Sequence, residues 1–374
     1  MGRADRGDAD RPRGPDRDHL ELPRRADHGR DVSHAALLTA PRRLELVTRP
    51  QPVAGPGEAV VRVAATAVCH TDLEIYTGRH PGVRLPRVMG HEATGVVEAV
   101  GPGVGRLRPG QRVILNPVIA CGACDCCARG RGNLCRDGGL FGREMDGSLA
   151  EHVVLPERYL YPLPEHLSLP VATLIETLAT VRHAQTRAGV GPGESVVVLG
   201  QGAAGLLHTQ LAKRAGAGPV VAVSRSPAKL ALARRMKADE VVDASRQDPV
   251  AAVREATGGR GADVVIDAAG VPSLLGPALE MLTPGGKLIV YGISHHRVPD
   301  FTTFPLYLKE LTVYGSRALT PEDFGPAIEL VASGVVDVEG FITGTYPLDR
   351  VAAAFEDYER APGSILRLVI VSPA

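Results

Sequence analysis

The chain has 374 residues, a hydrophobic share of 44%, and 42 basic against 42 acidic residues, for a formal net charge of zero. That length accommodates two domains, each with its own core. The balanced charge excludes the basic field of a nucleic-acid or anionic-membrane binder, and no apolar run approaches the roughly eighteen residues that span a bilayer.

Residues 1–31 are rich in Arg, Asp, Gly and Pro and almost free of apolar side chains. Such a segment cannot bury enough surface to offset ordering entropy, so residues 1–32 are expected to form a disordered extension. It lacks the apolar centre of a signal peptide. A natural start at Val32 would leave Ser33–Leu38 as the first strand.

From 33 to 178 the chain reads as short β-rich segments punctuated by Gly and Pro. Apolar alternation runs through Ala59–Ala67, Ala93–Val100 and Glu151–Leu155, with turns at Gly55-Pro56-Gly57 and Gly101-Pro102-Gly103. The expectation is a compact, partly barrel-like β unit.

Near 180 the rhythm changes. Val196–Leu199 is an apolar strand, followed by a glycine turn and a helical pattern through Ala215. Val220–Val223, Val241-Val242, Ala262–Ile266 and Lys287–Tyr291 then alternate with helical stretches from Pro227, near Val250–Thr257 and near Leu274–Leu282. Strands alternating with helices predict a doubly wound parallel sheet over residues 179–317. A further helix, Glu322–Val331, and short β pieces fill 318–374. The fold class is therefore α/β.

Three groups of residues carry chemistry. The run Val68-Cys69-His70-Thr71-Asp72 closes the strand Ala59–Ala67, and Gly90-His91-Glu92 and the lone acid Glu176 follow it. A Cys beside a His is, by itself, compatible with a buried small residue and a surface ring. Thiolate, imidazole and carboxylate arriving from separate segments are what a catalytic zinc needs, because such a site keeps one position open.

The six cysteines are Cys69, Cys121, Cys124, Cys126, Cys127 and Cys135. Without a secretory signal, this clustering reads as metal binding in a reducing, cytoplasmic compartment. Cys121-x2-Cys124-x2-Cys127-x7-Cys135 offers four thiolates for a closed structural zinc site, with Cys126 as a spare thiol. An iron–sulfur cluster uses comparable spacing, but the long gap to Cys135 and the lack of a following Pro favour zinc.

Gly200-Gln201-Gly202-Ala203-Ala204-Gly205 follows a strand and opens a helix. Gly200 allows the tight turn, Gly202 lets a pyrophosphate approach the backbone, and Gly205 permits close helix–strand packing. About twenty residues on, an acid would hold both ribose hydroxyls and select NAD; here the chain has Ser224-Arg225-Ser226. Ser224 removes repulsion toward a 2′-phosphate and Arg225 offers it a charged fork, which favours NADP over NAD. Gly292, after the strand Lys287–Tyr291, is a further cofactor-binding candidate.

Taken together, Cys69–Asp72, Gly90–Glu92, the four-cysteine lobe, the glycine fingerprint and Glu176 resemble the zinc-dependent medium-chain dehydrogenase/reductases, over residues 33 to the C-terminus. The resemblance implies a GroES-like catalytic domain built from both chain ends, a Rossmann domain inserted between them, and a homodimer or homotetramer. Glu176 stands where the alcohol dehydrogenase branch has Cys and the sorbitol- and threonine-dehydrogenase-like branch has Glu; Thr177 replaces that branch's usual Pro. By this resemblance Cys69, His91 and either Glu92 or Glu176 hold the catalytic zinc, and Asp72 orients the imidazole. Thr71 takes the alcohol proton, Thr180 lies beside the nicotinamide and Lys229 contacts the adenosine ribose. Glu74 occupies a position where the polyol branch often ends its proton relay with His, so Glu74 or His70 completes the route. Arg317 falls near the family's substrate cleft, or is an exposed loop Arg.

The implied activity is a zinc-dependent, NAD(P)-linked oxidation of a secondary alcohol of a polyol, sugar or cyclitol, or the reverse. A threonine-like amino-alcohol or simple alcohol dehydrogenase is the alternative within the enzyme class. A catalytically silent dinucleotide-binding protein that keeps the structural zinc is the alternative outside it. The partners expected are a small alcohol or ketone and other copies of this chain, with no nucleic acid and no membrane.

Overall fold

The computed structural model describes residues 32–298 and 301–372. The expected disorder of residues 1–31 lies outside the described residues; Val32 opens the first strand, opposite Pro50.

The N-terminal part contains strands β1 (Val32–Ala40), β2 (Arg43–Pro50) and β3 (Glu58–Val68), then the short helix α1 (His70–Tyr76). Next come β4 (Arg87–Val88), β5 (Glu92–Val100), β6 (Arg112–Leu115), β7 (Val118–Ile119), helix α2 (Asp125–Ala128) and β8 (Gly139–Leu140). Strands β9 (His152–Pro156) and β10 (Leu160–Pro162) and helix α3 (Leu169–Ala172) complete this part. Strand β3 is the hub. It pairs antiparallel with β5 and β9, and its side chains are buried on the sheet faces, Ala59, Val61 and Val63 in one core cluster and Ala65 and Ala67 in another.

Helix α4 (Leu174–Ala188) ends at Gly189 in the left-handed conformation and leads to the parallel sheet. That sheet contains β11 (Val196–Leu199), helix α5 (Ala203–Arg214), β12 (Val220–Ser224), helix α6 (Pro227–Arg235) and β13 (Glu240–Asp243). Helix α7 (Pro249–Ala256), β14 (Ala262–Asp267), helix α8 (Leu275–Met281), β15 (Leu282–Val290), helix α9 (Phe304–Leu308) and β16 (Thr312–Gly315) follow. The strand order is β13-β12-β11-β14-β15-β16. The order reverses between β11 and β14, and ligands of such sheets bind outside the carboxyl ends of the strands at that point. All four side chains of β11 are buried, each contributing about 1.5–3 kcal/mol, which is why the strand reads as an unbroken apolar run.

Helix α10 (Pro321–Ala332), β17 (Ile342–Pro347), helix α11 (Val351–Arg360) and β18 (Arg367–Val371) end the chain. Strand β18 pairs antiparallel with β3, Leu368 opposite Val68 and Val371 opposite Ala65, so the last strand completes the sheet begun by the third. The resulting seven-stranded sheet has the path β10-β6-β5-β3-β18-β17, with β9 attached to β3. Side chains of α4, α5 and α10, among them Leu174, Leu178, Leu206 and Phe324, share one core. No helix among the described residues is long and apolar enough to cross a membrane.

Candidate metal and dinucleotide sites

Cys69 caps α1, and the residue three places into that cap is Asp72, whose Oδ2 accepts the Cys69 N–H at 3.0 Å. The other oxygen, Oδ1, accepts the Gly90 N–H at 3.2 Å and lies 3.3 Å from His91 Nδ1. One buried carboxylate thus fixes the Cys69 segment against the His91 segment. Gly90 sits at φ +93, and a Cβ there would meet Thr66 Cγ2 and Ser148 Oγ at 2.9 Å, so glycine is required where the chain turns to deliver His91. Burial disfavours a charged His91, but the charge and hydrogen bond of Asp72 outweigh it and raise its pKa well above normal.

The ligand atoms of Cys69, His91 and Glu92 lie within 4.8 Å of one another. Glu176, in the first turn of α4, is buried against the same place: burial first, then the Glu92 charge, pushes its carboxyl up to about 8. Glu92 Oε2 is buried and has no hydrogen-bond partner among the described residues. A soft thiol, an imidazole and two crowded carboxyls, one with an orphaned oxygen, fit a divalent borderline metal such as zinc.

Arg367, the first residue of β18, escaped the sequence reading. Its Nη1 lies 3.3 Å from Glu92 Oε1 and donates to the Val68 carbonyl at 3.2 Å; Nη2 donates to Thr177 Oγ1 at 2.7 Å. The unusual Thr177 therefore has a structural use, since a proline there would offer Arg367 no acceptor. The available signal was an arginine inside the apolar run Leu366–Val371.

Around α1, Thr71 is half-buried and makes no side-chain hydrogen bond among the described residues. The His70 ring is largely exposed, with Nε2 3.7 Å from Glu74 Oε1. Glu74 is held by Arg79, whose Nε and Nη2 lie 3.0 and 2.9 Å from the same oxygen. Glu74 is thus a paired carboxylate that reaches His70.

In the cysteine lobe, Cys124 Sγ lies 3.5 Å from Cys127 Sγ and 3.8 Å from Cys135 Sγ, and Cys121 Sγ lies 3.9 Å from Cys127 Sγ. These are too long for disulfides and match the roughly 3.8 Å edge of a tetrahedron with Zn–S of about 2.3 Å. Backbone N–H groups of Ala123 and Cys124 point at Cys121 Sγ, as a thiolate requires. Hydrogen bonds from the Arg136 and Cys127 backbone lower the Cys124 pKa to about 6. Cys126 is outside the group.

Arg317 is an exposed loop arginine, but its guanidinium is tethered. Its Nη1 donates to the Asn133 carbonyl at 2.6 Å, and Asn133 Nδ2 donates back to the Arg317 carbonyl at 2.8 Å. This reciprocal pair docks the cysteine lobe on the chain after β16. From Asn133 the contacts continue to His183 at 3.4 Å and from His183 to Asp323 at 3.1 Å, reaching α4 and α10.

At the sheet, Gly200 ends β11 at φ +88, Gly202 caps α5 with open space at its Cα, and a Cβ on Gly205 would sit 1.9 Å from the Gly200 carbonyl. The helix N-terminus is thereby left accessible to phosphate. Ser224 ends β12 and its Oγ accepts the Ser226 N–H at 3.2 Å; Ser226 in turn caps α6. Arg225 is exposed and makes no ion pair among the described residues. Lys229 Nζ donates to the Pro362 carbonyl at 3.1 Å, and burial lowers its pKa. Gly292 lies so close to Gly270 that a Cβ would stand 2.3 Å from its nitrogen. Thr180 Oγ1 meets Tyr291 OH at 2.7 Å.

Residues 55–165 match the family described as alcohol dehydrogenase GroES-like domain, and residues 203–333 the family described as zinc-binding dehydrogenase. Sorbitol dehydrogenase of Bacillus subtilis (strain 168) is 30% identical over 341 residues, covering 90% of this chain and 96% of that protein. A zinc-binding dehydrogenase candidate from Sinorhizobium meliloti 1021, solved bound to NADP, superimposes with a TM-score of 0.84 at 30% identity, over 91% of this chain and 99% of that one. A short chain alcohol dehydrogenase from Escherichia coli CFT073, solved with NADH, gives 0.85 at 28% identity over 91% and 99%.

Proposed function

This chain belongs to the zinc-binding dehydrogenases that carry a GroES-like alcohol dehydrogenase domain, and from that premise we propose that it interconverts a secondary alcohol of a polyol, sugar or cyclitol with its ketone. It is a zinc- and NAD(P)-dependent oxidoreductase. The observation that carries the polyol reading is the pair Glu92 and Glu176 beside Cys69 and His91. Carboxylate in place of a second thiolate makes the site harder and more polar, which suits a hydroxylated substrate.

Cys69, His91 and either Glu92 or Glu176 hold the catalytic zinc, and Cys121, Cys124, Cys127 and Cys135 the structural one. A zinc held by Cys69 and His91 would supply Lewis acidity, which would let an alcohol lose its proton near neutral pH. Asp72 keeps His91 oriented. Thr71 accepts the proton of the substrate and passes it toward His70 and Glu74, whose side chains lie 3.7 Å apart. Gly202 and the N-terminus of α5 receive the pyrophosphate, with Gly200 making the turn and Gly205 the close packing that present them; Ser224, Arg225 and Lys229 receive the adenosine end, and Thr180 and Gly292 the nicotinamide end. The exposed Arg225, without an ion pair among the described residues, and Ser224 in place of an acid support NADP over NAD.

We place the domain boundaries at 178/179 and 317/318. The pairing of β18 with β3 supports the return of the last segment to the catalytic unit. A cytoplasmic location is supported by six free cysteines. A homodimer or homotetramer is supported by the open edge of β16 beside the exposed Phe304, Tyr307 and Leu308.

The test is a panel of polyols, cyclitols, threonine and simple alcohols with both cofactors, run on the native chain and on Cys69→Ser. Polyol turnover that Cys69→Ser abolishes, with dinucleotide binding retained, is expected. Turnover surviving Cys69→Ser would sink the metal assignment, and one zinc per chain, held in the cysteine lobe, with no turnover by the native chain would favour a silent protein.

A further inference from the structure

Two histidines from distant parts of the chain meet between the β-rich unit and the parallel sheet. His80 follows α1, where the Arg79 and His80 N–H groups donate to the Glu74 carbonyl at 2.9 and 3.0 Å. His295 lies beyond the carboxyl end of β15, in a turn where Ser294 Oγ accepts the His296 N–H at 3.3 Å. The two ring centroids are 5.1 Å apart and the planes cross at 73°. Neither ring belongs to the metal or dinucleotide sites already described.

The tautomer of His80 follows from its partner. Its Nδ1 lies 2.9 Å from the Pro81 carbonyl, which can only accept, so the neutral ring carries its proton on Nδ1. The lone pair is therefore on Nε2. Metal-binding imidazoles are commonly fixed in this way, one nitrogen donating to a carbonyl while the other faces the ion. Burial, and then the Arg143 charge, lowers the His80 pKa, which keeps the ring neutral at pH 7 and able to ligate. Arg143 is itself paired with Glu144, Nη2 2.7 Å from Oε1, so together they repel a cation little. His295 is exposed and makes no side-chain hydrogen bond among the described residues, so its ring can turn toward a shared ion.

Spacing decides the class of ligand. A nitrogen at about 2.0–2.1 Å from a tetrahedral ion puts its ring centroid about 3.2 Å away, and two such rings about 5.2 Å apart. The observed separation matches with side-chain rotation alone. We propose that His80 and His295 form a further metal site, in which two imidazoles and water take a borderline divalent cation such as zinc. The ion joins the segment after α1 to the loop at the carboxyl end of β15, the side of the sheet on which its ligands enter and leave. It acts as a clasp, slowing turnover that depends on opening. Binding needs only the two rings; the effect on turnover rests on the proposed dehydrogenase activity.

The experiment titrates Zn2+ into the zinc-loaded protein, so that no native metal is exchanged for another. Bound zinc is counted by equilibrium dialysis and turnover is followed in parallel, with Mg2+ as the control. The native chain is expected to take up one further zinc and lose activity; a weak chelator should remove that ion and restore the rate. His80→Asn and His295→Asn should each weaken both uptake and inhibition at least about tenfold, the lower end of what losing a metal-supporting group costs. The double variant should lose little more, and without added zinc all three should turn over at the native rate. Uptake indifferent to either substitution, or dependent on one histidine alone, overturns the inference. Uptake lost in both variants, with native turnover untouched by the ion, keeps the site and overturns the clasp. Absence of any turnover by the native chain sinks the dehydrogenase reading and leaves the dialysis to decide the site.

Discussion

Arg367 Nη1 stands 3.3 Å from Glu92 Oε1, so the first residue of the last strand holds a carboxylate that lies beside Cys69 and His91. Both side chains are almost wholly buried, at 6% and 1% exposure. Removing one member of a buried ion pair strands the other charge, which costs about 3–5 kcal/mol. Arg367→Met, similar in length and apolar, is therefore expected to lower unfolding stability by about that amount in urea titrations. Stability equal to the native chain would show that the pair contributes nothing net.

The cysteine lobe has little apolar core and is joined to the rest through Asn133 and Arg317. Cys124→Ser should reduce bound zinc by one per chain and lower thermal stability, because metal binding in such a lobe is folding energy. Arg317→Ala should retain the metal but release it to a chelator faster, at a stability cost of about 1 kcal/mol for the lost hydrogen bond. Unchanged release kinetics would disprove the docking role of the pair.

Arg225 is exposed beside Ser224 and makes no ion pair among the described residues. A guanidinium bound to a 2′-phosphate is worth about 1.5 kcal/mol or more, so Arg225→Ala should weaken NADP binding about tenfold and NAD binding hardly at all. Equal losses measured by calorimetry would remove the case for NADP.

His208 is buried and neutral, its pKa lowered from 6.5 to about 3 by desolvation. Its unfolded form takes up a proton below 6.5 and its folded form does not. Stability from this residue is therefore whole above pH 6.5 and falls as pH drops toward 3. At pH 5 the loss is about 2 kcal/mol. His208→Leu should flatten the fall in urea midpoint between pH 7 and pH 5, and an unaltered slope would refute the assignment.

The sequence determined the elements whose signals are local. The apolar run Val196–Leu199 next to Gly200–Gly205 announced a parallel strand and a phosphate-binding turn, because strand burial and glycine geometry act within a few residues. The four cysteines Cys121, Cys124, Cys127 and Cys135 announced a metal lobe by spacing alone, and the structure gathers their sulfurs. Tertiary structure decided what depends on partners far along the chain. Arg367 meets Glu92 and Thr177 only because β18 returns to β3, and Arg317 meets Asn133 only because the segment after β16 passes the cysteine lobe. Both arginines are charged groups whose cost of burial or ordering is offset by partners more than 180 residues away in the chain. No window of sequence contains both members of such a pair, so residue type alone could not say which carboxylate, carbonyl or hydroxyl each would find.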